Sequence, residues 1–423
     1  MYLLDIMRMK RAVAALTAVI GWCSIAGAQT GEVGARLLND PAVRTALDYA
    51  RAHEPATIEE QVRLCEVPAP PFMETARARA YADAFRRAGL RNVRIDKTGN
   101  VLGERPGRAA RPHLVLSAHL DTVFPAETNV TVTRQGPVLK GPGIGDDCRG
   151  LAVLLAVVRA LDAAKIQTAG TITFAGTVGE EGLGDLRGVK ALFNETLKDQ
   201  VDRFVSVDGT GYGITHISVG SLRYRVTFTG PGGHSYGAFG IANPVHALGR
   251  AIAAFADVRP PADPKTTFNV GRVGGGTSVN AISAEAWMEV DMRSANQEAL
   301  RNLEGKFHAA VDAALAAENA RWDQKGRLSV TKRLVGDRPA GTVSASSDIV
   351  QRTVSVTRAL GLPIELTAGS TDANTPMSLN IPAITIDAGG SGAGAHTLDE
   401  TFDTTDSWQG TQRTLLAAIA LSE

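Results

Sequence analysis

The chain has 423 residues, with 44 basic and 44 acidic side chains and a formal net charge of zero. That balance lacks the basic face that phosphate backbones demand, so nucleic acid is excluded as a partner. A hydrophobic content of 44 % with 44 glycines suits an α/β protein, and the length exceeds the roughly 250–300 residues that one core supports, which calls for two domains.

Arg8, Lys10 and Arg11 precede AVAALTAVIGWCSIAGA, which ends at Ala26-Gly27-Ala28. A basic start, an apolar centre and an A-x-A end predict a secretory signal peptide over residues 1–28. The apolar run is short for a membrane span of roughly 20 residues, so an exported chain is expected, periplasmic or secreted, with no stable membrane insertion after cleavage. Beyond this segment only Cys65 and Cys148 remain, and the sequence allows either one bridge or two free thiols.

From about residue 40 helix-like and strand-like segments alternate. TARARAYADAFRRAGL has helical spacing, and NVRIDKTGNVLGE reads as two short strands. HLVLSAH (113–119), TITFAGT (171–177) and RFVSVD (203–208) are near-continuous apolar runs, as in strands buried on both faces. With helices at 150–164 and in LRGVKALFNETL between them, they predict a mostly parallel sheet covered on both sides, residues 29–219. The pattern then changes to strand SLRYRVTFTG, helix NPVHALGRAIAAFADV, strands TTFNVGRVGGG and AEAWMEVDMRS, a long helix from Asn296, and strand RLSVTKRLVGD. That β-α-β-β-α-β order predicts an inserted ferredoxin-like domain over residues 220–341, after which the main domain resumes over 342–423 with the strand PAITIDA.

Ligands of open α/β sheets bind at the carboxyl ends of the strands. His119 and Asp121 stand at the end of the first long strand, Glu180 and Glu181 after the second, and Asp208 after the third. The glycine-rich turn GPGIGDDCRG adds Asp146 and Asp147, and GAGAHTLDE adds His396. Six carboxylates crowded at one edge raise one another's pKa or recruit a cation, and few basic residues lie near in sequence. Mixed histidine and carboxylate ligation points to zinc with an open position, with Mn or Co as substitutes. In His119-Leu120-Asp121 the first and third side chains point the same way, so the Asp121 carboxylate is expected to accept the free ring N–H of His119 and orient it.

Taken in order, SAHLDTV, GPGIGDDCRG, GTVGEEG, SVDGTG, GPGGHS, GGTSVNAIS and GAHTLDE resemble the M20 family of co-catalytic metallopeptidases and amidohydrolases over nearly the whole chain after the signal segment. The resemblance implies two Zn2+ ions, with His119, Asp146 and Asp208 holding one, Asp146, Glu181 and His396 holding the other, and Asp146 bridging. It implies Glu180 as general base, a cis peptide between Asp146 and Asp147, and a lid domain that commonly forms a homodimer. It also makes His234 a lid histidine acting in the partner's active site, and Asn280, Arg293, Ser370 and Asp372 substrate-side residues. Cys148 stands where the family often has lysine, and Asp208 where many deacylases have glutamate, which inclines the reading towards aminopeptidases and dipeptidases. The expected activity is hydrolysis of short peptides. An N-acyl amino acid amidohydrolase or a glutamate-carboxypeptidase-like enzyme is the alternative, and an inactive binding protein the third reading. His53, His113, His216, His246 and His308 are read as structural. GPGIG lacks the remainder of a dinucleotide fingerprint.

Overall fold

A computed structural model describes residues 32–423, so the expected signal peptide lies outside the described residues. No helix among them is long and apolar enough to cross a membrane.

The central sheet runs in the order Arg91–Ile95, Val101–Arg105, Ile172–Thr177, Leu114–His119, Arg203–Val207, Ala383–Ile386, Gly213–Ser218 and Gly341–Thr342, with Glu365–Gly369 also paired to Gly213–Ser218. Its middle is parallel, from Ile172–Thr177 through Leu114–His119 and Arg203–Val207 to Ala383–Ile386. Antiparallel pairs flank it on both sides. Every residue of Leu114–His119 and of Ile172–Thr177 is buried. Period-two alternation explains why: Leu114, Leu116, Ile172, Phe174, Val205 and Val207 enter one core, while Val115, Ala175 and Phe204 enter another on the opposite face. Burial of one such leucine or phenylalanine contributes roughly 1.5–3 kcal/mol. The first core is closed by helices that include Pro41–Ala52, Cys148–Ala163, Asp348–Ala359 and Trp408–Leu421, and the second by the helical stretch 187–196.

Residues 220–338 form a second sheet, antiparallel, in the order Thr266–Gly275, Glu285–Ser294, Gly220–Thr229, Ser329–Arg338. Helices Pro244–Ala256 and Gln297–Arg321 pack on it, burying Phe255 and Phe307 against Tyr224, Phe228, Met288 and Met292. Both helices start at an asparagine cap: Asn243 accepts from the Val245 N–H and Asn296 from the Ala299 N–H, each at 2.9 Å. The entry and exit strands of the insertion pair with each other, with Ser221 opposite Arg338, so both connections to the main domain lie side by side.

One feature had no counterpart in the sequence pattern. Ser391–Ala393, Thr401–Asp403, Val138–Lys140 and Thr133–Gln135 form a small antiparallel sheet that carries the His396 loop. Cys65 and Cys148 form a disulfide with a Cα–Cα distance of 5.4 Å, which settles the alternative left open above and removes any free thiol beside Asp147.

Candidate metal and catalytic site

Three neighbouring parallel strands bring the acids together. Sheet neighbours lie roughly 4.8 Å apart, so the segments after Ile172–Thr177, Leu114–His119 and Arg203–Val207 emerge side by side with Glu180-Glu181, His119 and Asp208. The Asp208 N–H donates to the Ile386 carbonyl at 3.0 Å, which extends the ladder one residue past the third strand. The Asp146–Asp147 peptide is cis, as expected.

Asp146 is the centre of the arrangement. Its Oδ1 lies 2.9 Å from His119 Nε2 and its Oδ2 lies 3.0 Å from His396 Nε2. His396 Nε2 is also 2.9 Å from Glu181 Oε1, and Asp208 Oδ1 is 3.8 Å from His119 Nε2. Potential ligand atoms of His119, Asp146 and Glu181 lie within 4.8 Å of one another, as do those of His119, Asp147 and Asp208. His119 Nδ1 donates to the backbone carbonyl of Asp121 at 2.9 Å, so a neutral His119 turns an Nε2 lone pair towards a carboxylate oxygen. Two acceptors meet there unless the ring takes a second proton or a cation lies between them. This donor set fits a metal ion.

The electrostatics agree. Burial opposes a charged His119, yet Asp146, Asp147 and Asp208 hold its pKa well above the ordinary value. Hydrogen bonds to Asp146 and Glu181 push His396 up to about 10. Burial, only partly offset by Arg338 and with Glu181 adding to it, pushes Glu180 up to about 8. Burial likewise lifts Asp208 well above the carboxylate range. The cluster is short of positive charge.

The remaining acids have a different job, and here the geometry corrects the sequence. The Asp121 carboxylate does not orient His119; its Oδ1 stands 3.8 Å from Nδ1, and the backbone carbonyl takes the ring proton. Instead Asp121 accepts the N–H groups of Glu180 and Glu181 at 3.0 and 2.8 Å. The side chains of His119 and Asp121 face the same way, but the carboxylate reaches past the ring to N–H donors of the loop that follows Ile172–Thr177. Asp147 accepts from the His119 N–H at 2.9 Å and from the Gly150 N–H at 3.0 Å, capping helix Cys148–Ala163. Gly150 must be glycine, because a Cβ there would come within 2.3 Å of both Asp147 Oδ1 and the Val207 carbonyl. Glu400 accepts from the N–H groups of Gly143, Gly145 and Asp146 at 2.8, 2.8 and 3.0 Å and so shapes the glycine-rich turn. Burial pushes its carboxyl up to about 7. Of the six acids counted at this edge, Asp121 and Asp147 hold backbone donors, Asp146, Glu181 and Asp208 face the centre, and Glu180 turns to Arg338.

Asp121→Asn puts an amide N–H₂ against at least one of two buried N–H donors, and an unsatisfied buried donor costs roughly 1–3 kcal/mol. A loss of that size in the free energy of unfolding is expected, together with lower turnover as the Glu180-Glu181 backbone shifts. Denaturant titration and steady-state kinetics on the variant check this; unchanged stability would contradict the clamp.

The inserted domain touches the same loop. Arg338, at the end of the last strand of the inserted domain, donates from Nη1 to Glu180 Oε1 at 3.1 Å and from Nη2 to the Glu180 carbonyl. Arg223 donates to the Gly182 carbonyl at 2.7 Å, and the Asp337 N–H to Asp185 Oδ1 at 2.8 Å. Nothing in the sequence marks Arg338, whose partner is 158 residues away. Glu400 had a weaker signal, as the last residue of the GAHTLDE motif.

The substrate-side residues divide. Ser370 Oγ accepts from Arg338 at 3.3 Å, and Asp372 is fully buried, bonded to Thr177 Oγ1, with its pKa pushed by burial up to about 6. His234, Asn280 and Arg293 bond within the inserted domain: His234 Nδ1 accepts from the Tyr236 and Gly237 N–H groups at 3.3 Å, Asn280 pairs with Ser278, and Arg293 with Asp291. None of these three side chains contacts the carboxylate cluster in the hydrogen bonds and ion pairs of the described residues. His113 bonds the Gln200 carbonyl and Thr173, and His216 the Val343 carbonyl, both structural contacts.

At the parallel sheet edge His119 meets His396, brought by the loop of the small sheet, around the Asp146 carboxylate, an arrangement that could hold a metal ion. Residues 115–420 match peptidase family M20/M25/M40, and the chain belongs to that family of peptidases and amidohydrolases. The uncharacterized protein YqjE of Bacillus subtilis (strain 168) is 27 % identical over 299 residues, 69 % of this chain and 76 % of that one. Carboxypeptidase G2 of Pseudomonas sp. (strain RS-16) is 27 % identical over 316 residues, 70 % of this chain and 72 % of its own length. Among solved structures, aminopeptidase PepT from Bacillus cereus ATCC 10987 superimposes with a TM-score of 0.70 at 20 % identity, covering 88 % of this chain and 99 % of that one, a likeness of fold.

Proposed function

We propose that this protein is an exported metallopeptidase that hydrolyses amide bonds of short peptides with two zinc ions and with Glu180 as general base. The observation that carries the reading is the divergence of Glu180 and Glu181. Glu181 turns to Asp146 and His396, whereas its neighbour turns to Arg338. Adjacent residues in extended backbone point to opposite sides, and Glu181, at φ −80° and ψ 145°, is extended.

His119, Asp146 and Asp208 would hold one ion and Asp146, Glu181 and His396 the other, with the two oxygens of Asp146 already directed to opposite histidines. When bound, the ions supply Lewis acidity that polarises a carbonyl and eases deprotonation of water. Glu180 Oε takes the proton of the attacking water and returns it to the leaving nitrogen. Arg338 holds that carboxylate in place, and Asp121 fixes the backbone beneath it.

Zinc-loaded protein assayed on di- and tripeptides beside N-acyl amino acids tests this. Turnover of the peptides supports it, and turnover of the N-acyl compounds alone would replace peptidase with amidohydrolase. Glu181→Ala is expected to lose one of two zinc equivalents by elemental analysis, and an unchanged zinc content would contradict the ligand assignment.

A further inference from the structure

Exposed apolar side chains near one another mark a binding surface, and three stand on the two linked loops that border the carboxylates. Phe72, Met73 and Leu183 are 63, 58 and 66 % exposed. Leu183 sits in the turn Gly182–Gly184, two residues after Glu181. The loop that carries Phe72 and Met73 is tied to the same strand end as the acid pair. The Thr122 N–H donates to the Ala69 carbonyl at 2.9 Å, while the preceding residue, Asp121, holds the N–H groups of Glu180 and Glu181. Arg187 links the two loops. Its guanidinium lies 4.8 Å from the Phe72 ring centroid, and it packs so closely on Gly179 that a Cβ there would meet Nη1 at 2.0 Å. Gly179 in turn packs on Gly184, beside Leu183. Phe72 is thus exposed but fixed, which lowers the entropy cost of binding against it.

Charge points the same way. The loops 66–74 and 178–186 contain no Lys or Arg, and Arg187, Arg223 and Arg338, which contact them, are ion-paired with Glu74, Asp291 and Glu180. Among the described residues these loops offer no unpaired Lys or Arg for an acidic substrate side chain.

We propose that Phe72, Met73 and Leu183 form a subsite for an apolar side chain on the residue next to the scissile amide, so that the preferred substrates carry leucine- or phenylalanine-like groups in place of acidic ones. This rests on the amide-hydrolase reading above and specifies its substrate class.

Zinc-loaded full-length protein is assayed on leucyl-, phenylalanyl-, glutamyl- and glycylglycine, and on glycylleucine, glycylphenylalanine and glycylglutamate. In one of the two series kcat/KM for the apolar members is expected to exceed that of the glutamate member by roughly a hundredfold, since a hydrophobic pocket discriminates by about 10–200-fold per small group. Phe72→Ala and Leu183→Ala should each cut the ratio of apolar to glycylglycine turnover by about tenfold, chiefly through KM, with zinc content unaltered. Calorimetric titration of the Glu180→Gln protein with the favoured dipeptide and its glutamate counterpart should show the same order of affinity. Cleavage that favours glutamate, or an apolar preference indifferent to both alanine variants, would overturn the subsite while leaving the amide-hydrolase reading standing. Failure to cleave any peptide or N-acyl amino acid would remove that reading, and this one with it.

Discussion

Glu180→Gln is expected to lower kcat by roughly 10²–10⁴-fold while both zinc equivalents stay bound, the range that a positioned general base contributes. Glutamine keeps the shape of the side chain and retains an oxygen to accept from Arg338 Nη1, so the local fold has no reason to change. What is lost is the ability to take a proton. The adjacent Glu181 cannot substitute, because its carboxylate is spent on His396 and points away from Arg338. Elemental analysis beside single-turnover kinetics separates the cases. Zinc loss in this variant would make Glu180 a ligand and overturn the division of labour within the pair, whereas intact turnover would remove it from the chemistry.

Replacing Cys65 and Cys148 together by alanine is expected to lower the free energy of unfolding by about 2–5 kcal/mol, towards the upper end because the bond closes a separation of 83 residues. The bridge joins the last residue of helix Glu54–Cys65 to the first of helix Cys148–Ala163, two positions after Asp146, and both cysteines are fully buried. A loosened bond there frees the turn that presents Asp146, so weaker zinc retention should accompany the lost stability. Denaturant curves with and without reductant, together with zinc titration, check both. Equal midpoints for the oxidised wild type and the double variant would show that the bridge contributes nothing. A disulfide persists where the surroundings are oxidising, which supports the proposed export.

Much of the main domain was legible because its strands are apolar throughout and bounded by turns. HLVLSAH, TITFAGT and RFVSVD became the adjacent parallel strands, and the acids that follow them met at one edge. The inserted β-α-β-β-α-β unit was equally legible, since its strands alternate and its helices carry asparagine caps. The small sheet that positions His396 was not, because its strands are only three residues long and largely exposed, too short for periodicity to register. The role given to Asp121 failed for a related reason: spacing along one strand shows which way a side chain points, not which donor in a neighbouring loop needs an acceptor.

The sequence by itself determined that His119, the Glu180-Glu181 pair and Asp208 follow the three apolar strands, because strand length and burial are written locally in side-chain type. Only the tertiary structure decided which carboxylates face the centre and which hold backbone. Asp121 meets its N–H partners 59 and 60 positions away, Arg338 meets Glu180 after 158, and Glu400 meets the Asp146 turn after 254 to 257. A carboxylate satisfied by buried N–H groups needs no cation, whereas one facing a histidine lone pair does. That distinction depends on folded neighbours, which no local pattern encodes.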